Sequence, residues 1–144
     1  MAGITETTGG AHTARTQGSR AHTALGRFGE EAAARWLADR GYEIVERNWR
    51  CAAGELDLVA RHAGWLVGVE VKTRSGLAYG DPLEAITRRK LTRLHRLMAA
   101  WVQEHEASAA GRPGRGTPWR VDAVAVLVPR TGGVRVDLVQ DVRP

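Results

Sequence analysis

The strongest constraint in this chain is a spacing. The segments GELDLVAR (54–61) and WLVGVEVKTR (65–74) both read as strands, and only His62, Ala63 and Gly64 lie between them. Two strands joined that closely can pair only as an antiparallel hairpin. With Ala63-Gly64 as a two-residue turn, His62 is predicted to face Trp65. Counting outward sets Asp57 opposite Glu70 and Glu55 opposite Lys72. Alternation then predicts that Glu55, Asp57 and Val59 share one face, as do Gly68, Glu70, Lys72 and Arg74, with Val67, Val69 and Val71 on the other. A slip of one residue would send these charges to opposite faces.

The remaining elements fall around this hairpin. Leu25, Phe28, Ala32 and Trp36 recur at helical spacing from about Thr23, with Gly41 as the stop. YEIVERNW (42–49) predicts a first strand before the hairpin. Asp81-Pro82-Leu83-Glu84 carries the start signals of a helix predicted to run to about His105, with Leu83, Ile86, Lys90, Leu94 and Trp101 on its inward stripe. After a Gly/Pro-rich basic loop (108–118), VDAVAVLV and VRVDLVQDV predict two closing strands. The order α-β-β-β-α-β-β predicts one α/β domain over residues 23–144, built on a mixed sheet, after a flexible tail at 1–22.

Composition narrows the function classes. With 144 residues and 43% apolar content the chain can bury one core. A single cysteine, Cys51, excludes an internal disulfide and a multi-cysteine zinc site and reads as a small inert hydrophobe. No apolar stretch reaches the roughly 20 residues of a membrane span, and the first 20 residues carry no apolar signal core, so a cytoplasmic protein away from membranes is expected. The formal charge of +5 favours polyanionic partners. Nineteen of the 21 basic residues are Arg; the two lysines are Lys72 and Lys90. Where Arg is the default, a retained Lys hints at a compact, deprotonatable charge.

Two acids facing each other on a sheet repel by roughly 0.2–1 kcal/mol, and by more when buried. A divalent cation between them reverses the sign. Asp and Glu oxygens with a backbone carbonyl make a hard-oxygen site suited to Mg²⁺ or Mn²⁺. A neighbouring Lys can serve a water or stabilise developing negative charge, which suits attack on a phosphodiester. The alternative is a solvated face on which Lys72 and Arg74 neutralise Glu55, Asp57 and Glu70.

Asp57 followed by Glu70-Val71-Lys72 resembles the PD-(D/E)XK nuclease signature. The ordered segments LGRFGEEAAARWL, GYEIVERNWR, GELDLVA, VGVEVKTR and RVDAVAV resemble the small bacterial YraN-like family, which is grouped with Holliday-junction-resolvase-like endonucleases. The resemblance covers residues 24–140. It implies a restriction-endonuclease-like core, a mixed sheet flanked by helices with the site on the central hairpin. It also implies Asp57 and Glu70 as metal-binding acids with the Val71 carbonyl as a further ligand, Lys72 as the catalytic lysine and Glu30 as a helix glutamate near the metal. Glu55 is a further candidate ligand. Gly68 stands where the family usually has a large apolar residue, which predicts looser packing beside Glu70.

Other residues have two readings each. Lys90 either points at the same site as Lys72, where it would meet nucleic acid, or snorkels at the edge of the core. Arg89, Arg93 and Arg96 share a helix face that could line phosphates, as could Arg74, or be merely solvated. Arg112, Arg115 and Arg120 lie in or beside the basic loop. Asp122 reads as a structural salt-bridge partner. The five histidines show no metal spacing. Trp36 and Trp101 read as core; Trp49, Trp65 and Trp119 read as packing rather than base-stacking groups. The leading expectation is thus a Mg²⁺- or Mn²⁺-dependent nuclease acting on DNA, including branched or structured DNA. The alternative is a nucleic-acid-binding or repair or uptake partner protein with a vestigial site. Resolving a junction takes two sites, hence a homodimer.

Overall fold

The computed structural model describes residues 23–76, 81–108 and 116–144. The expected tail at 1–22 and Arg112 and Arg115 lie outside them. In chain order the elements are α1 (Ala24–Ala38), β1 (Glu43–Cys51), β2 (Gly54–His62), β3 (Trp65–Arg74), a 3-10 turn (Pro82–Ala85), α2 (Arg88–Ser108), β4 (Trp119–Leu127) and β5 (Arg135–Val139). The five strands form one mixed sheet in sequential order, antiparallel except for the parallel β3–β4 pair. A parallel neighbour needs a crossover, and α2 supplies it. This is the α/β order read from the sequence.

The two helices cover opposite faces. Ala33, Ala34 and Leu37 of α1 pack with Leu58, Ala60, Val67, Val69, Val124 and Val126. Leu94, Leu97, Met98, Trp101 and Val102 of α2 pack with Leu56, Val59, Leu66 and Val121. Strand β3 therefore alternates as expected. Strand β2 does not: Leu58 and Ala60 face α1, whereas Leu56 and Val59 both face α2. The alternation breaks at Asp57, so Glu55 and Val59 do not share a face.

Each helix differs from its sequence reading in one respect. In α1 the buried residues are Gly29, Ala33, Ala34 and Leu37, while Leu25 and Phe28 are exposed, Phe28 at 50%. The face chosen is the one with the smallest side chains, because α1 lies tightly across β3. A Cβ on Gly29 would stand 1.8 Å from Thr73 Oγ1. Gly41 does stop the helix: at φ +87° it lets Tyr42 N–H donate to Leu37 O (3.0 Å) and its own N–H to Ala38 O (3.2 Å). The second helix starts at Arg88 rather than at Pro82. Asp81 caps only a single 3-10 turn, accepting from Leu83 N–H at 2.9 Å, and Ile86 is extended. Thr87 Oγ1 then accepts from Lys90 N–H (3.2 Å) at the true start. Leu83 and Ile86 thus leave the stripe, which reads Lys90, Leu94, Leu97, Met98, Trp101 and Val102.

Asp122 is the structural acid it was read to be, and it is fully buried. It accepts from Arg120 Nε (2.9 Å), Tyr42 Oη (2.9 Å) and Asp141 N–H (2.9 Å). Arg120 also donates to Tyr42 Oη (3.2 Å) and contacts His62 Nδ1 (3.0 Å), and the His62 ring stacks on Tyr42. Arg120 is thereby committed to the core and is not a phosphate-facing residue. Trp101 is core as expected, Trp36 sits at the rim beneath the Arg40 guanidinium, and Trp49, Trp119 and Cys51 pack against the α2-side core. Trp65 is 40% exposed.

Replacing Gly29 by Ala tests the α1–β3 contact. Alanine favours a helix by roughly 1 kcal/mol, but a methyl group within bonding range of Thr73 outweighs that. Gly29→Ala is expected to lose about 1–3 kcal/mol in urea unfolding; equal or greater stability would show that the helix is not seated on Thr73.

Candidate functional site

The predicted register of the central hairpin holds. His62 pairs with Trp65, and the ladder runs to Leu58–Val69. The turn is taken by Ala63 (φ +49°) and Gly64 (φ +84°), the two left-handed positions that such a turn demands. Past Leu58–Val69 the regular pairs stop. The Asp57 carboxylate reaches between the strands and accepts from Val71 N–H at 2.8 Å. A side chain has replaced the backbone ladder, so Glu55 does not pair with Lys72 as the register count predicted. A residue's N–H and C=O point the same way along a strand, which sets the Val71 carbonyl on this side of β3 too.

Strand β1 makes room for this. Its pairs with β2 pass from Arg47–Leu58 to Trp49–Leu56, so Asn48 lies opposite Asp57, and Asn48 is left-handed at φ +52°. Asparagine tolerates that conformation better than most residues. With the amide turned so that its nitrogen faces both acids, Asn48 donates to Glu30 Oε2 (3.1 Å) and Glu55 Oε1 (3.0 Å). Glu30 arrives from α1, one residue after the glycine seated on Thr73. Glu55 also pairs with Arg50 Nε at 3.2 Å.

Four acids thus converge from three elements, all of them half-buried. Asp57 and Glu70 are hydrogen-bonded to each other. Burial pushes the Asp57 carboxyl up to about 6, against the downward pull of Val71 N–H and Lys72. Burial, then the Asp57 charge, hold Glu70 well above the ordinary carboxyl range, while Lys90 and Lys72 pull it down. Two carboxyl groups in contact resist ionising together, and the Asp57 charge adds to the burial that raises Glu70. Glu30 is raised to about 7 by burial, then by the Asp57 and Glu55 charges.

Alternation on β3 settles which helix each acid meets. Gly68 faces α2 and Val69 faces α1, so Glu70 faces α2. Glu30 and Glu55 gather on the α1 side. The gap expected beside Glu70 is absent. Gly68 is buried under Met98, and a Cβ there would lie 3.0 Å from the sulfur. Methionine from the helix fills the space that a large side chain on the strand would occupy.

Among the described residues no group of three or more His, Cys, Asp and Glu side chains is placed to hold a metal ion. The acids stand instead as a contacting pair, Asp57 and Glu70, and an amide-bridged pair, Glu30 and Glu55. All the donors are hard oxygens, the ligands that a cation of Mg²⁺ type takes. The donor chemistry fits such a cation. Arg74 is half-buried at the end of β3. Arg89, Arg93 and Arg96 are exposed on the outer face of α2, with Arg93 Nε 4.0 Å from the Cβ position of Gly54 in the β1–β2 turn. The residues that sequence reasoning missed are Asn48 and Thr73. Neither carries a signal in the sequence, since their parts depend on a backbone angle and on a helix contact.

The model of uncharacterised protein family UPF0102 matches residues 29–126, a span that begins one residue before Glu30 and includes Asp57, Glu70, Lys72 and Lys90. This chain belongs to that family. Among its UPF0102 relatives, the protein of Beutenbergia cavernae is 56% identical over 118 residues, covering 82% of this chain and 94% of the relative. That of Clavibacter michiganensis is 55% identical over 116 residues, covering 81% and 92%. That of Roseiflexus castenholzii is 51% identical over 106 residues, covering 74% and 81%. UPF0102 is the family that the YraN-like segments indicated. No helix among the described residues is long and apolar enough to cross a membrane.

The raised carboxyls make stability depend on pH. Between about pH 4.5 and 7 the folded chain binds more protons at Glu30 than the unfolded chain does, so stability falls as pH rises through that window. In metal-free buffer Glu30→Gln is expected to gain about 1 kcal/mol at pH 8, with solvent screening allowed for, and nothing at pH 4. Urea unfolding at the two pH values checks this; an equal loss at both would mean that Glu30 acts by packing alone.

Proposed function

We propose that this protein is a divalent-cation-dependent nuclease that hydrolyses phosphodiester bonds in DNA, with branched or structured DNA as the preferred substrate. The observation that carries the reading is the Asp57 carboxylate held by Val71 N–H at 2.8 Å where the β2–β3 ladder stops, with the Glu70, Glu30 and Lys72 side chains beside it. Buried acids cost stability unless something cationic compensates them. Here Val71 N–H holds Asp57 and Asn48 holds Glu30 and Glu55, and among these four acids an arginine pairs with Glu55.

Asp57 and Glu70 are the residues that would hold Mg²⁺ or Mn²⁺, with the Val71 carbonyl and Glu30 or Glu55 completing the oxygen set. The cation would supply Lewis-acid polarisation of the phosphate and lower the pKa of a water. Lys72 orients the attacking water and offsets negative charge growing on the phosphate. Glu30, with its pKa near neutrality, is suited to take up a proton at physiological pH. Val71 N–H fixes the Asp57 carboxylate, so the acid needs no reorganisation when substrate arrives. Arg74 and the exposed Arg89, Arg93 and Arg96 provide basic groups for the flanking backbone. Two copies acting together would be needed to cut both strands of a junction.

The purified protein is expected to cleave a labelled branched DNA in Mg²⁺ or Mn²⁺ and to stop on chelation. Asp57→Asn, Glu70→Gln and Lys72→Ala should each lower the rate by about 10²-fold or more while DNA binding survives. Salt-sensitive binding without cleavage, in wild type and variants alike, would replace the nuclease reading with that of a DNA-binding module.

A further inference from the structure

Lys90 is one of only two lysines among 21 basic residues, and both pull the Glu70 carboxyl down against the burial that raises it. It occupies the first inward position of α2, one turn before Leu94, on the stripe continued by Leu97, Met98 and Trp101. Its neighbours Arg88, Arg89 and Arg93 are exposed, whereas Lys90 is half-buried. Glu70 faces the same helix. Lys72 comes from β3 and Lys90 from α2, so two lysines from different elements lie at the end of the sheet where Glu70 stands.

The seating of α2 explains how. Gly68 admits Met98 at the strand, and Gly54 admits Leu97, whose Cδ1 lies 3.4 Å from a Cβ built there. These two glycines draw the helix down onto the hairpin over the length between β2 and β3. The turn before Leu94 is thereby carried to the splayed end, where Asp57 and Glu70 stand. The early stop at Ile86 and the cap at Thr87 fix the helical phase that turns position 90 inward. A lysine that only snorkelled would have its ammonium in water, away from any acid. This one lies half-buried on the inward stripe of α2, the helix that Glu70 also faces.

We propose that Lys90 is a second catalytic cation of this site, which binds a non-bridging oxygen of the scissile phosphate from the α2 side while Lys72 serves from the β3 side. This rests on the nuclease reading and deepens it. It names an anion subsite next to Glu70, suited to a phosphodiester rather than to a carboxylate or a neutral ligand. A phosphate carries oxygens on two sides at once, and ammonium groups converging from a strand and a helix match that. When a phosphate enters, the Lys90 ammonium meets one of its oxygens, and Glu70 is among the residues that would hold the cation.

The test uses Lys90→Met, which keeps the apolar stem and removes the charge, and Lys90→Arg, which keeps the charge. Mn²⁺ affinity is measured without DNA, and cleavage of labelled branched DNA with it. Loss of a positive charge beside Glu70 should tighten Mn²⁺ about three- to tenfold in Lys90→Met, while its kcat falls about 10²-fold with Lys90→Arg intermediate. Tighter metal with slower cleavage is a combination that a purely structural lysine does not produce. Unchanged Mn²⁺ affinity overturns the proposal, whether cleavage is retained or falls together with the thermal midpoint. A wild type that binds Mn²⁺ but cuts no DNA overturns the nuclease reading, and with it the phosphate contact. A wild type that cuts while Lys90→Met cuts equally well overturns the proposal alone.

Discussion

One hydrogen bond organises this molecule: Val71 N–H to the Asp57 carboxylate, at 2.8 Å. In an ordinary hairpin that donor would be met by a backbone carbonyl. Here a side chain meets it, and three consequences follow. The strands separate beyond Leu58 and Val69, the face alternation of β2 breaks, and the two acids at the opening come into contact. The bond also decides the electrostatics, because it holds a carboxylate in a place where burial pushes its pKa up.

The rest of the fold serves to bring charges to that opening without covering it. On one face, Gly29 lets α1 close on Thr73, and the next residue, Glu30, is delivered to Asn48. On the other, Gly68 and Gly54 let α2 close on the hairpin through Met98 and Leu97, with Lys90 on the inward stripe of that helix. Both helices use an absent side chain to set a functional one. The opposite end of the sheet is locked differently, by the fully buried Asp122 and its bonds to Arg120, Tyr42 and Asp141. That end has its polar groups paired with each other, whereas the splayed end has acids paired with acids.

Much of this was legible in the sequence because it depends on short-range rules. Two residues between strands fix a register, so the His62–Trp65 pair and the meeting of Asp57 with Glu70 followed from counting. The order of elements and the burial of Asp122 followed from periodicity. What failed depended on contacts distant in sequence. Leu25 and Phe28 look like the buried stripe of α1, but the helix turns its small residues inward because the sheet lies close. Asp81-Pro82 carries every start signal of a long helix and receives one 3-10 turn, because the chain must first travel from the end of β3 to the other face. The opposition of Glu55 and Lys72 failed because Asp57 ends the ladder before that pair is reached. Asn48 was invisible, since its bridging of two acids depends on a left-handed backbone in an edge strand.

On the nuclease reading proposed above, the acids around Asp57 would take up a hard divalent cation. Calorimetric titration of Mn²⁺ into the metal-free protein and into Asp57→Ala at neutral pH tests it most directly, because no substrate has to be assumed. The account predicts saturable binding to the wild type that is lost or weakened at least about tenfold in the variant. A wild type that takes up no Mn²⁺, or a variant that binds it as tightly as the wild type, would contradict it.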